Sequence, residues 1–274
     1  MDLRLPGARK ADGLSATARR VVVAQVLRVF AASLRMSTAM ERRGWVESDQ
    51  PLWRRFEDSV RAALAEVPDA GVFVDVGGGR SCVYADAVPR ERGVRLVSVD
   101  ISAEELALNV VADQTVVADI ADSMPFADGE DDLLVSRVVL EHVDGVPGAI
   151  RHMARVIKPG GRTIHFMPGR FATFAIAARL LPFKPLLRLL HFAVPGSIGV
   201  VEFDVHYDKT DPVALERLFR EAGFRDVRVS WTAAQADYYK TFAPAYLLIV
   251  AYQTLVRRLG LRRLAAYVVV DARR

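Results

Sequence analysis

The chain has 274 residues, of which 51% are hydrophobic and 26% charged, so it can build a large core and is not a disordered chain. Its single cysteine, Cys82, excludes an internal disulfide and a metal site built from cysteines, and it favours a reducing, cytoplasmic location. The formal net charge of +4 permits an anionic partner without requiring one. We expect neither a targeting segment nor a membrane span, because no stretch reaches the roughly 20 apolar residues that a span needs.

Residues 1–69 are predicted to form a helical extension that precedes the main domain. Residues 15–66 have a helical pattern, and apolar side chains near the end of this stretch recur every four residues, which places them on one helix face. These side chains are Leu52, Phe56, Val60 and Leu64.

From residue 70 onward, short runs rich in β-branched residues alternate with helix-like stretches, and we interpret residues 70–274 as the main domain. Ser102, followed three residues later by Glu105, fits the capping box that begins a helix. Alternating strands and helices imply right-handed crossovers and a mostly parallel sheet. The predicted strands are residues 72–76, 95–100, 114–120, 131–137 and 162–167.

The regular alternation ends after Pro168. A helix is predicted at 211–224, with Asp211 as its cap and Gly223 as its stop. Two further strands are predicted at 225–231 and 264–272.

Three consecutive glycines follow the first predicted strand, at the edge of the sheet where open α/β folds bind ligands. Glycine there permits positive φ angles and leaves no Cβ in the way of a ligand, and we expect a crossover helix to follow with free N–H groups. Asp100 ends the next strand, 21 residues after Gly79, at the spacing of an acid that binds ribose hydroxyls. The pattern indicates a nucleoside-like cofactor, while a tight turn capped by Asp100 remains the alternative.

The dinucleotide fingerprint is incomplete, because its third glycine would fall at Cys82. Asp75, two residues before Gly77, instead resembles motif I of the class I S-adenosylmethionine (SAM)-dependent methyltransferases. The stretches "VVADIADSMPFADGEDDLLVSRVVLEHVDG", "ARVIKPGGRTIHFMPG" and "LERLFREAGF" resemble later blocks of the same family in the same order. The likeness covers about residues 70–232 and a last strand, and it is to the small-molecule branch called methyltransferase type 11.

This resemblance implies a Rossmann-like, doubly wound α/β fold whose seven-stranded sheet is mostly parallel with an antiparallel last strand. It implies SAM as cofactor and S-adenosylhomocysteine as product, with Asp75 at the amino-acid end and Asp119 and Ile120 at the adenine. No metal is expected, since this branch commonly works without one. The cofactor-binding residues that it implies are Asp75, Gly77, Gly78, Gly79, Asp100, Ile101, Asp119, Ile120 and Arg137.

Methyl transfer needs an aligned acceptor, exclusion of water and, for a hydroxyl acceptor, a base. His142 follows the fourth strand at the ligand-binding edge and is the candidate base, unless it only supports the cofactor loop. His206 and Tyr207 precede the last helix and are candidate substrate contacts. His165 lies inside a strand and is interpreted as packed, and His152 is placed on an exposed helix face.

Two apolar, aromatic insertions, at about 170–210 and 233–263, are predicted to be lids that select a small acceptor with an apolar body. The expected reaction is O-methylation of a natural-product, lipid, quinone or sugar-type molecule. Arginines between 257 and 263 would suit a peripheral membrane contact, or they are the solvated end of a packed helix. A homodimer is also compatible with so much apolar sequence.

Other functions stay open at this point. N- or C-methylation would use the same pocket, and a SAM-binding protein without activity would keep the same motifs. An RNA methyltransferase is less favoured, because neither an RNA-binding module nor an "NPPY"-type signature is visible, and no nucleic-acid partner is expected. A nicotinamide-dependent oxidoreductase is disfavoured by Cys82.

Overall fold

The computed structural model describes residues 16–180 and 205–274, so most of the predicted insertion at 170–210 lies outside the described residues. From residue 72 the described strands lie close to their predicted positions, but no α-helix separates the first strand from the second or the third strand from the fourth. The helices are α1 (Ala16–Arg42), α2 (Gln50–Glu66), α3 (Ala103–Ala107), α4 (Val146–Val156), α5 (Thr173–Leu180), α6 (Pro212–Glu221) and α7 (Ala243–Arg258). The strands are β1 (Val72–Val76), β2 (Arg95–Asp100), β3 (Gln114–Val117), β4 (Asp131–Arg137), β5 (Ile157–Pro168), β6 (Arg225–Thr232) and β7 (Tyr267–Arg273).

The seven strands form one sheet in the order β3-β2-β1-β4-β5-β7-β6. The pairs among β1 to β5 are all parallel, whereas β7 runs antiparallel to both β5 and β6. This topology confirms the predicted seven-stranded, mostly parallel sheet with an antiparallel last strand. From β1 the strand order continues to one side through β2 and β3, and from β4 it continues to the other side through β5. The switch point of the topology therefore lies between β1 and β4, and the carboxyl ends of these two strands mark the ligand-binding edge.

Alternating side chains of the central strand divide the core into two layers. Val72, Val74 and Val76 of β1 face the layer that contains α4 and α6, while Phe73 faces the layer that contains α2. Because side chains alternate along a strand, both faces of a buried strand need an apolar cover. Asp75 shares the α2 side with Phe73, and it is the only acid in this strand.

The four-residue periodicity predicted for α2 is confirmed. Its apolar face lies on the sheet, and the four side chains that define the period are at most 5% exposed. This face contacts β4, β5 and β7, so α2 belongs to the sheet domain by packing. The buried side chains of the period are Leu52, Phe56, Val60 and Leu64.

The contacts divide the chain into two compact units, and this division does not coincide with the predicted boundary at residue 69. The larger unit is Glu47–Gln235 with Ala251–Arg274, and it contains the whole sheet. The smaller unit consists of the described residues up to Val46 together with Ala236–Val250. The difference arises because α2 packs on the sheet, whereas α1 packs on the first half of α7.

Within the smaller unit, Tyr246 connects the two helices. Its ring is fully buried, and its hydroxyl donates to the carbonyl of Ser37 at 3.3 Å. The backbone N–H of Ala243 donates to Ser33 Oγ at 3.2 Å, and Lys240 pairs with Glu41 at 3.0 Å. One face of α1 is therefore occupied by this packing.

The crossover between β1 and β2 corrects one prediction. Instead of an α-helix after the glycines, residues 77–94 contain only two short 3-10 turns, at Ala85–Ala87 and Arg90–Arg92. Pro89 lacks an N–H and cannot continue a helix. Cys82 and Tyr84 lie in irregular backbone, and their side chains are buried. A ligand at the glycines therefore meets loop backbone and not a helix N-terminus.

Two predicted helix caps are confirmed. Ser102 Oγ accepts from the N–H of Glu105 at 3.2 Å, although the Glu105 carboxylate binds Arg80 and does not complete the capping box. Asp211 Oδ1 accepts from the N–H of Ala214 at 3.1 Å at the start of α6. Local side-chain chemistry thus fixes where α3 and α6 begin.

Gly77 and Gly78 are required by packing inside the protein. Gly77 has a φ of +71°, and a Cβ placed on it would lie 2.3 Å from Val139 Cγ2. A Cβ on Gly78 would lie 2.2 Å from Ser98 Oγ, which is closer than any real contact. Gly79 has a φ of +47°, but its Cβ position keeps ordinary distances, 3.6 Å from Asp100 Oδ2.

We predict that Gly77→Ala costs more stability than Gly160→Ala. Both glycines have positive φ, so each substitution loses about 1 kcal/mol or more of backbone energy. Only Gly77 has a close neighbour, and overpacking against Val139 should add about 1–3 kcal/mol. Denaturant unfolding measures the difference, and Val139→Ala in the Gly77→Ala background should recover most of it. Equal losses at the two glycines would contradict the contact.

Candidate functional site

A cavity of about 320 Å³ opens at the carboxyl ends of β1 to β4. Most of the predicted cofactor and substrate residues contribute to its wall, including both candidate histidines. The lining residues are Val76, Gly77, Val99, Asp100, Ile101, Ala118, Asp119, Ile120, Val138, Val139, His142, Val143, Asp144 and His206.

Asp100 is both a cap and a wall of this cavity. Its Oδ2 accepts from the N–H of Gly79 at 3.0 Å, and its Oδ1 accepts from the N–H of Ser102 at 2.9 Å. Asn109 holds the same turn by donating from Nδ2 to the carbonyl of Gly79 at 2.8 Å. Each carboxylate oxygen has a further lone pair, so the capping role leaves Asp100 able to accept from ribose hydroxyls.

The far wall is formed by the loop after β3, where Asp119 and Ile120 lie. Asp119 Oδ1 accepts from the N–H of Ala121 at 2.8 Å, which fixes the turn. His152 Nδ1 hydrogen-bonds the carbonyl of Ile120 at 3.0 Å. His152 is therefore half-buried and supports the cavity wall, which corrects its predicted place on an exposed face.

A smaller cleft of about 40 Å³ lies on the other side of Gly77, between Asp75 and Arg137. Burial raises the pKa of Asp75 to about 6, against the hydrogen bond that it receives from the Cys82 thiol and the charge of Arg137. The Arg137 guanidinium lies over the ring of Trp53, 5.6 Å from its centre. Cys82, which breaks the dinucleotide fingerprint, is thus a partner of the motif I acid.

The buried hydroxyl of Tyr84 also lines this cleft and has no hydrogen-bond partner within the described part of the chain. A carboxylate, a guanidinium and a free hydroxyl suit the amino and carboxylate groups of an amino acid. The larger cavity, with Asp100 between apolar walls, suits a nucleoside. The two spaces share Gly77, so together they fit a nucleoside joined to an amino acid, as SAM is.

His142 stands at the mouth of the cavity beside a buried acid. Its Nε2 lies 3.8 Å from Glu141 Oε1, and the Glu141 carboxyl group makes no hydrogen bond within the described residues. Desolvation raises the pKa of Glu141 to about 8, so it is mostly protonated at neutral pH. The sequence does not single out Glu141, which appears there only as the residue before His142 in "LEHV". Its raised pKa results from burial, which the sequence pattern does not show.

Glu141 also brings the 205–210 loop to the site through its backbone. Its carbonyl accepts from the N–H groups of His206 and Tyr207, at 2.8 and 2.9 Å. His206 lines the cavity and is exposed, whereas the ring of Tyr207 is buried among Ala172, Ala175 and Ala266. Tyr207 is not among the residues that line the cavity, so the structure brings together His142 and His206 only.

The turn after β4 contains an unusual backbone angle. Val138 has a φ of +59°, which is rare for a β-branched residue and shows that the turn after β4 is held by its surroundings.

His165 is buried as predicted and is hydrogen-bonded to Ser136 and Thr163. Desolvation lowers its pKa to about 3. His165 is therefore neutral and structural.

Two further kinds of feature concern residues 16–180 and 205–274, namely a metal site and a membrane-spanning helix. No group of three or more His, Cys, Asp or Glu side chains there could hold a metal ion. No helix in these ranges is long and apolar enough to cross a bilayer.

Known sequences resemble this chain over different lengths. The profile of the methyltransferase domain family matches residues 74–165. Arginine-hydroxylase NDUFAF5, mitochondrial, of Danio rerio is 31% identical over 233 residues, which cover 82% of this chain and 68% of that protein. Ubiquinone/menaquinone biosynthesis C-methyltransferase UbiE of Rubrivivax gelatinosus is 31% identical over 152 residues, 54% of this chain and 55% of that protein.

Among solved structures, a geranyl diphosphate methyltransferase in complex with GPP and sinefungin superposes with a TM-score of 0.51. The identity is 17%, and the match covers 79% of this chain and 77% of that chain. At this identity the likeness concerns the fold alone, and it agrees with the sheet order described above.

We predict that Glu141→Gln changes how stability depends on pH. The folded-state pKa of about 8 lies above the ordinary 4.5, so the native state binds the extra proton and stability falls as pH rises between these values. Glutamine removes this dependence. In that window, the free energy of unfolding of the variant should therefore rise relative to that of the wild type by about 1.4 kcal/mol for each unit of increasing pH.

Denaturant unfolding of both proteins from pH 5 to pH 9 measures this gain. Asp75 and Asp131, whose pKa values burial also raises, are present in both proteins and cancel in the difference. A difference that stays constant with pH would contradict the buried, protonated state of Glu141.

Proposed function

Because the chain belongs to the class I SAM-dependent methyltransferase family, we propose that it transfers a methyl group to an oxygen of a small, partly apolar acceptor. The observation that carries the proposal is the meeting of the cavity and the cleft at Gly77, with His142 and His206 beside them. This arrangement supports a cofactor in the two joined spaces and an acceptor on the side of the two histidines. The proposed setting is the cytoplasm.

The chain's own residues would hold SAM at both ends. Asp75 and Arg137 would bind the amino and carboxylate groups, and Asp100 would accept from the ribose hydroxyls. Asp119 and Ile120 would lie at the adenine. When bound, SAM supplies a methyl group on a sulfonium and a neutral leaving group, so the protein needs to add only alignment, dryness and a proton acceptor.

His142 is the proposed proton acceptor for a hydroxyl. Its imidazole is partly exposed, with 30% of the side chain accessible, so an acceptor can reach it from the cavity. The Glu141 carboxyl lies 3.8 Å from His142 Nε2, and in its ionised form it would stabilise the imidazolium electrostatically. His206 is the proposed substrate contact, because the Glu141 carbonyl fixes its backbone at the cavity wall.

The two apolar insertions, at about 170–210 and 233–263, are proposed to select the acceptor. Their aromatic composition supports an apolar body. Two relatives define the competing reactions. The name of the bacterial relative concerns C-methylation in quinone biosynthesis, and the zebrafish name concerns arginine hydroxylation.

We predict that Ala118→Phe weakens SAM binding by about tenfold or more, because the ring fills the cavity that the nucleoside would occupy. Val117→Phe is the matched control, since Val117 is 58% exposed and does not line the cavity. Calorimetric titration with SAM and with S-adenosylhomocysteine measures both variants. Equal binding by the two variants would place the cofactor elsewhere.

We predict that lipophilic phenols are methylated and that His142→Ala lowers this turnover by at least about tenfold while SAM affinity stays nearly the same. Transfer of labelled methyl from SAM is measured for phenols, a quinol, polar sugars, an arginyl peptide and folded RNA. Product analysis locates the new methyl group.

Several results would contradict parts of this proposal. A methyl group on ring carbon would replace O-methylation, and an unaffected His142→Ala variant would remove the base. Turnover of only RNA, sugars or the arginyl peptide would overturn the apolar acceptor, and SAM binding without any transfer would favour a non-catalytic protein.

A further inference from the structure

The helix α1 exposes an apolar stripe. Leu27, Phe30 and Leu34 are 60, 40 and 46% exposed, although side chains of this kind are normally buried. Their spacing of three and four residues places them on one face of the helix. A continuous apolar face of this kind marks an interaction surface.

This stripe is separate from the face of α1 that packs within its own unit. Ser33 and Ser37 are buried, and Met36 and Met40 pack in the cluster around Tyr246. These four positions again recur at three- and four-residue spacing, so they form a second face. The exposed stripe therefore takes no part in the internal packing of the unit.

A row of arginines runs beside the stripe. Arg28, Arg35 and Arg42 are spaced by seven residues, so they lie on one side of the helix, and all three are exposed. No acidic side chain in the described ranges pairs with any of them. The single acid of α1, Glu41, pairs with Lys240.

Charge is distributed unevenly along the chain. Residues 1–46 contain nine Lys and Arg against three Asp and Glu, whereas the whole chain has a net charge of only +4. The remainder of the chain is therefore slightly acidic. Positive charge and exposed apolar area coincide on α1.

We propose that the outer face of α1 binds an anionic lipid bilayer surface. The apolar stripe would enter the boundary between headgroups and acyl chains, and the arginine row would reach the lipid phosphates. Among the occupants that could cover an apolar stripe, this one matches the row of arginines, with which no acid of the described residues pairs. The proposal does not depend on the proposed methyl acceptor.

The structure favours α1 over the arginines at 257–263 as the membrane contact. Arg257 pairs with Glu47 at 3.3 Å, and Arg262 pairs with Glu216. Paired guanidinium groups would have to give up these partners before they bind phosphates. Leu247 and Leu248, on the part of α7 that packs with α1, are also exposed and add apolar area to the same unit.

Co-sedimentation of the full chain with vesicles tests the proposal. The wild type should bind vesicles of phosphatidylglycerol and phosphatidylcholine about tenfold or more tightly than vesicles of phosphatidylcholine alone, and high salt should reduce the difference. The paired changes Leu27→Asp with Leu34→Asp, and Arg28→Gln with Arg35→Gln, should each weaken binding about tenfold or more.

Two control variants match these changes outside α1. Val110→Asp places a charge at a 90% exposed apolar position, and Arg54→Gln with Arg55→Gln removes two exposed arginines of α2. Both controls should bind vesicles like the wild type. Thermal unfolding should show that the α1 variants stay folded, because the changed side chains point away from the packed face.

The proposal is overturned if the wild type does not bind anionic vesicles, or if the controls lose binding as much as the α1 variants. It is also overturned if sedimentation shows a dimer that Leu27→Asp with Leu34→Asp separates while vesicle binding is absent, because a second copy of the chain would then cover the stripe.

Discussion

The close approach of Gly77 to Val139 determines how the site is built. A side chain at residue 77 would collide with Val139, so β1 and the turn after β4 can meet only at a glycine. This contact separates the larger cavity from the smaller cleft, because Gly77 lines both. The strained backbone of Val138 lies in the same turn, and His142 follows it. The parallel strands bring the proposed cofactor residues and the candidate base to one edge of the sheet, and this contact fixes how β1 and the turn after β4 meet there.

Burial gives the acids of this edge different roles. Asp100 accepts from backbone N–H groups with both oxygens, so it holds the loop, and each oxygen keeps a lone pair for a ligand. Asp75 and Glu141 are desolvated, and the pKa of each is raised. Tyr84 and Glu141 keep polar atoms that the described protein leaves unpaired. In a low-dielectric site such atoms are costly, and a polar ligand or acceptor would relieve that cost.

The two proposed binding functions lie on different units of the chain. The sheet unit contains every residue proposed to bind SAM, and its polar groups converge on the carboxyl ends of the strands. The smaller unit contains an apolar stripe and an arginine row that its own packing does not use. A lipophilic acceptor and an anionic lipid surface are compatible partners, because a molecule with an apolar body partitions into bilayers. The proposed acceptor and the proposed membrane contact can nevertheless fail independently.

The sequence by itself determined where the strands lie, the period of α2, and the caps Ser102 and Asp211, because local chemistry and spacing decide these. The cofactor family and the seven-stranded sheet came from the resemblance of its motifs to a known family. Only the tertiary structure decided what side chains do when distant segments meet. It replaced the expected helix after Gly79 by two short turns, since Pro89 and the burial of Cys82 and Tyr84 outweigh the usual crossover. It buried Glu141 and Tyr207 although their neighbours His142 and His206 line the cavity. Burial and partners depend on packing between segments far apart in sequence, and periodicity along one segment does not contain that information.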